Sequence, residues 1–157
     1  MNRPGRASGR NGNKPIRFNR KILWSKAYWA LSGVAPQYLM VLLGKRQMNQ
    51  VKATGEWIIR NNGQIVFPYS EGKGRFDISA GRHRHALRAL HAKGFIDINH
   101  LGGGMDGDST KFSISRRWKQ YGSPDFEEEE WPKDDRKKGN PEIGQYGRGR
   151  QIKHNYY

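Results

Sequence analysis

Ser79-Ala80-Gly81-Arg82-His83-Arg84-His85-Ala86-Leu87-Arg88-Ala89-Leu90-His91-Ala92-Lys93-Gly94 runs directly into Phe95-Ile96-Asp97-Ile98-Asn99-His100, and the reading of this stretch decides the fold. Ser79 has the character of an N-cap, because its hydroxyl can accept a first-turn amide that lacks an intrahelical partner. Ala86, Leu87 and Leu90 recur at helical spacing, and Gly94 stands where a C′ residue can turn left-handed. The pattern predicts a helix over 80–93, then a half-buried strand over 95–100. Leu101 to Ser109 carries four glycines and reads as a flexible hairpin connection. Residues 110–115 alternate again, with Phe112 and Ile114 inward. A short helical segment over 116–121 carries Trp118, and Gly122-Ser123-Pro124 closes the unit.

Upstream, Asn61-Asn62-Gly63 is a strong turn signal, and residues 64–69 tend to strand. Residues 70–76 are ambiguous: Ser70-Glu71 can open a helix, yet Gly72 and Gly74 weaken one by about 1 kcal/mol each relative to Ala. A longer helix is expected from Ala35 to about Gln50. Pro36 suits its first turn, and Leu39, Met40, Leu42 and Leu43 form a stripe assigned to packing. Ser25 caps a short helix over 26–31, bearing Tyr28, Trp29 and Leu31 and ended by Ser32-Gly33. A strand, a short helix, a capped helix and a β-hairpin with a long Gly-rich tip, in that order, make an α+β winged helix-turn-helix domain the expected fold.

Composition sets its limits. The 157 residues carry 29 Lys+Arg against 14 Asp+Glu, a formal charge of +15. Of 29 Leu, Ile, Val and Phe residues, 27 fall within 16–126. The expected organisation is therefore a disordered basic arm (1–20), a winged-helix domain (21–126) and a disordered charged tail (127–157). Residues 1–26 hold eight basic and no acidic residues, 27–126 hold fourteen and seven, and 127–157 hold seven of each. The absence of Cys excludes disulfides, thiolate zinc sites and Cys nucleophiles. The longest apolar run, Val34 to Leu43, is interrupted by Pro36 and Gln37 and is too short to span a bilayer. A cytoplasmic protein, nucleoid-associated if it binds DNA, is the expectation, with no membrane partner.

Basic charge on arm and domain points to a polyanionic partner, because each neutralised phosphate releases condensed counterions. The helix over 80–93 contains no acid. Arg82, Arg84, His85 and Arg88 are the candidates to enter a major groove, where Arg bonds guanine in a bidentate manner. Arg84, Arg88 and His91 are expected along one exposed line. Lys111 would contact the DNA backbone from the hairpin, and Arg3, Arg6 and Arg10 would hold phosphates or the adjacent minor groove. Asp106 and Asp108 would oppose phosphate, so the hairpin tip is expected to bend away.

No catalytic constellation, phosphate loop, metal site or cofactor site emerges. The glycines at 102–104 lack the Lys and Ser/Thr of a phosphate loop, and His83 and His85, two apart, fall on different helix faces. The expected function is non-enzymatic, sequence-specific binding of duplex DNA, as a transcriptional regulator or a replication accessory factor of a mobile element. The rival readings are an RNA-binding or ribosome-associated structural protein and a metal-dependent nuclease. A homodimer could form through 35–50 or 24–29. Gly147-Arg148-Gly149-Arg150 resembles Arg/Gly segments that bind nucleic acid without sequence preference. The tail otherwise reads as solvated, its Glu127 to Glu130 block complementary to the basic arm.

Three stretches carry a family resemblance: Asn61 to Glu71, Ala86-Leu87-Arg88-Ala89-Leu90-His91-Ala92-Lys93-Gly94-Phe95-Ile96-Asp97-Ile98, and Ser113 to Gly122. Together they resemble small bacterial winged-helix proteins, similar to the DNA-binding modules of phage and plasmid replication initiators and of winged-helix repressors. The resemblance covers roughly residues 24–126 and is most specific at the helix-to-strand junction, Leu90 to Ile96. It implies DNA binding. The glycines at 72, 74 and 81 depart from the family pattern.

Overall fold

The structure is a computed structural model that describes residues 15–103 and 107–133. Two single helical turns, α1 (Arg20–Leu23) and α2 (Lys26–Trp29), are the first helices of the described residues, each started by a side-chain cap. Asn19 Oδ1 accepts Lys21 N at 2.9 Å and Ser25 Oγ accepts Tyr28 N at 3.2 Å. Helix α3 (Ala35–Gly44) has its proline in the first turn, where the missing amide costs nothing, and buries Tyr38, Leu39, Leu42 and Leu43.

Helix α3 stops six residues before the expected end at Gln50. In its place β1 (Met48–Gln50) pairs antiparallel with β2 (Trp57–Ile59), Met48 opposite Ile59 and Gln50 opposite Trp57. Asn61 fixes the base of this hairpin: its Oδ1 accepts Gln47 N at 2.8 Å and its Nδ2 donates to Lys45 O at 3.0 Å. That side chain satisfies backbone groups which a continued helix would have satisfied internally.

A three-stranded antiparallel sheet follows, in the order β3-β5-β4, from β3 (Ile65–Val66), β4 (Ile96–His100) and β5 (Lys111–Ile114). Phe112 is its centre, paired with Ile65 on one side and Ile98 on the other, and a register irregularity lies between Ile98 and His100. Between β3 and β4 the chain forms α4 (Tyr69–Phe76) and α5 (Ala80–Ala92). The ambiguous segment is thus helical. Gly72 is required there by packing: a Cβ would stand 2.9 Å from Tyr38 Oη and 3.0 Å from His83 Nδ1. Helix α4 ends at Asp77 in the left-handed region (φ 50°), and the three-residue connection Asp77-Ile78-Ser79 leads into α5, whose cap is Ser79 Oγ.

The C-terminus of α5 closes as a Schellman motif, with Gly94 N donating to His91 O and Phe95 N to Leu90 O. Gly94 takes φ +77°, and a Cβ there would fall 2.7 Å from Trp118 N. Trp118 sits on the 3₁₀ turn Arg117–Gln120 and stacks on Phe95 at 5.9 Å. The core joins α3, α5 and the sheet: Tyr38, Phe67 and His83 form an aromatic cluster with centroids 4.6–5.5 Å apart, beside Leu39, Leu42, Leu90 and Phe95. The described chain is a mixed α+β fold, and among the described residues no helix is long and apolar enough to cross a membrane. Packing continues past residue 126, where the tail was expected to begin: the Trp131 ring lies 5.8 Å from that of His91 and 6.3 Å from Phe112.

Candidate nucleic-acid interface

Helix α5 divides its residues by the 3.6-residue period. His83, Ala86, Leu87, Leu90 and His91 are buried, while Arg82, Arg84, His85 and Arg88 occupy the outer arc in solvent. The expected line of Arg84, Arg88 and His91 breaks at its last member, since His91 is only 3 % exposed. Its Nε2 lies 3.3 Å from Glu129 Oε2, and Arg117 bridges Glu129 and Asp97 beside it. Burial, and then the neighbouring Arg117 charge, lower the His91 pKa from its ordinary value, so this histidine is neutral near pH 7. His83 is also held neutral by burial, and its Nδ1 pairs with Tyr38 Oη at 2.9 Å. Both histidines therefore serve the fold, and the exposed arc of α5 is left with Arg82, Arg84, His85 and Arg88.

Four cations elsewhere are paired with carboxylates: Lys45 with Glu71 at 2.6 Å, Lys73 with Asp77, Arg75 with Glu71 and Arg117 with Asp97. Among the described residues, no carboxylate comes within ion-pair distance of Arg82, Arg84 or Arg88. Lys111, half-buried at the start of β5, lies opposite Val66 and His100 and alternates with the buried Phe112. A shallow cleft of about 370 Å³ separates α5 from the hairpin, with Arg84 and Arg88 on one wall and Leu101 and Thr110 on the other. Arg3, Arg6 and Arg10 lie outside the described residues, as does Asp106. Asp108 is tied down by His100, whose Nε2 is 2.6 Å from its Oδ1.

Two features escaped sequence reading. Trp131 lines the same cleft, its ring 6.0 Å from the Arg88 guanidinium, so a residue assigned to the tail lies against the candidate surface. A lone tryptophan after four glutamates was the available signal. Trp24 and Trp29, on α1–α2, are 78 % and 75 % exposed, a pair of open indoles that the apolar patterning did not single out. Among the described residues, no group of three His, Cys, Asp or Glu side chains is arranged to hold a metal ion. Comparison of the chain with protein families, curated proteins and solved structures gives no match.

Proposed function

We propose that the protein is a winged helix-turn-helix module that binds duplex DNA in a sequence-specific, non-enzymatic manner, as a regulator or replication accessory. The observation that carries this reading is the outer arc of α5: three arginines in solvent, without carboxylate partners, on a helix with no acidic residue. A helix fits the major groove, and an antiparallel ribbon can follow the flanking backbone. The element order β3-α4-α5-β4-β5, the three-residue link between α4 and α5, and the sheet order β3-β5-β4 support the winged-helix assignment. In this arrangement Arg82, Arg84, His85 and Arg88 face the base edges, Lys111 contacts phosphate, and Arg3, Arg6 and Arg10 add phosphate contacts.

The test is selection of bound duplexes from a random pool, followed by affinity measurements on a selected site and on unrelated DNA. Arg84→Ala with Arg88→Ala is expected to cost about 1–3 kcal/mol per lost base contact on the selected site and less on unrelated DNA. Equal losses on both would reduce these arginines to phosphate contacts, and a pool that never enriches would remove sequence specificity.

A further inference from the structure

The α1–α2 corner carries a second surface, independent of α5. Trp24 and Trp29 are the most exposed large apolar residues described. Trp29 is nonetheless held: its Nε1 donates to Leu23 O at 2.7 Å, and its ring meets Tyr28 edge-on at 6.3 Å. The indole is thus pinned at its Nε1 edge while three quarters of the residue stays exposed. The accepting carbonyl belongs to the residue before Trp24, so the Trp29 indole lies beside the backbone that carries Trp24. Ser25 stiffens that corner, its Oγ accepting Tyr28 N and donating to Ile22 O at 2.7 Å, while Ile22 and Ala27 anchor it in the core.

The surroundings select the partner. Residues 1–55 contain eleven basic residues and no acidic one, and Arg20, Lys21 and Lys26 are exposed around the two indoles. A ligand for this corner must be polyanionic and must offer planar rings. Unpaired bases on a phosphate chain meet both demands, whereas duplex bases are already stacked on one another. A second copy of the chain would bring the same positive corner against this one. A membrane surface favours a long amphipathic helix, and α1 and α2 are single turns. The corner meets the C-terminal end of α5, whereas Arg82 and Arg84 stand in its first turns. Lys26 Cδ would be 3.2 Å from a Cβ on Gly122, and neighbouring Tyr121 sits under the ammonium of Lys93, at the C-terminal end of α5.

We propose that the α1–α2 corner binds single-stranded nucleic acid, with Trp24 and Trp29 stacking on unpaired bases and Arg20, Lys21 and Lys26 holding the phosphates. The proposal does not rest on duplex recognition by α5. It is tested by titrating the full chain with fluorescent oligo(dT), with a duplex of equal length, and with phosphatidylserine vesicles. Trp24→Ala with Trp29→Ala is expected to weaken oligo(dT) binding about tenfold or more and to leave duplex affinity unchanged. Trp24→Phe with Trp29→Phe keeps an aromatic face and is expected to retain most of the binding, which a merely structural role would not require. Arg84→Ala with Arg88→Ala is expected to show the reverse selectivity. Unchanged oligo(dT) affinity without the indoles overturns this proposal and leaves the duplex reading standing. Indole-dependent binding to vesicles but not to oligo(dT) overturns it in favour of a lipid surface, and an indole-dependent dimer without oligo(dT) binding overturns it in favour of self-association.

Discussion

Gly94→Ala tests the junction that orients α5 against the hairpin. Gly94 has φ +77°, a conformation that costs an L-residue about 1–2 kcal/mol. A Cβ there would also stand 2.7 Å from Arg117 Cβ and from Trp118 N, and 2.8 Å from Arg117 C. Two of these atoms are backbone, and Trp118 N is itself bonded to Gly94 O at 3.0 Å, so relief requires moving the 3₁₀ turn and the Trp118–Phe95 stack with it. Overpacking of this kind costs about 1–3 kcal/mol, and the smaller unfolded-state entropy of Ala returns about 0.4–1 kcal/mol. The net loss is about 1–5 kcal/mol, a large share of the roughly 5–15 kcal/mol of a typical domain. Gly74→Ala is the matched control: it lies inside α4, nothing lies within 4 Å of its Cβ position, and φ is ordinary. It is expected to stabilise by about 0.5–1 kcal/mol. Urea denaturation of both variants reads the difference as opposite shifts of midpoint at constant m. A loss under about 1 kcal/mol at Gly94, or destabilisation at Gly74, would refute the reasoning.

Tyr38→Phe removes the hydroxyl that faces His83 Nδ1 at 2.9 Å in the core, and the unpaired group is expected to cost about 1–3 kcal/mol by urea denaturation; a loss under about 0.5 kcal/mol would contradict it. His83 and His91 both have pKa values lowered by burial, so the unfolded chain binds their protons first. Their contribution to stability is full above the unfolded value of about 6.5 and is lost as pH falls below it, so the melting temperature is expected to drop from pH 7 toward pH 5 and to drop less steeply in His83→Gln. A flat profile over that window would contradict the burial. Replacing Glu127 to Glu130 by Gln removes four negative charges from the segment leading to Trp131, which lies beside Arg88; duplex affinity at low salt is expected to rise about fivefold, and unchanged affinity would show that this acidic segment does not oppose DNA.

Sequence periodicity reached furthest where burial and local chemistry agree. In α5, the Ser79 cap, the Ala86-Leu87-Leu90 face and the Gly94 stop are all local signals, and each falls where the structure places it. The alternation of β4 and β5 was legible because one face is apolar. The β1–β2 hairpin was not, since Asn49 and Gln50 are exposed and polar and the pairing with Trp57-Ile58-Ile59 is non-local. Gly72 counted against a helix by propensity, yet Tyr38 and His83, distant in sequence, require it. His91 illustrates the opposite failure. Its spacing from Arg84 and Arg88 implied a shared face, but Asp97, Arg117 and Glu129 enclose it from three other segments. Of the candidate contacts, Arg82, Arg84, His85 and Arg88 do share the solvent side of α5, a consequence of the helical period alone.

A salt titration of duplex binding by the full chain tests the central claim most directly. With about six phosphates neutralised by α5, Lys111 and the basic arm, the logarithm of the binding constant is expected to fall against the logarithm of salt concentration with a slope of about −5. A slope near zero, or no binding at about 50 mM salt, would contradict duplex DNA as the partner.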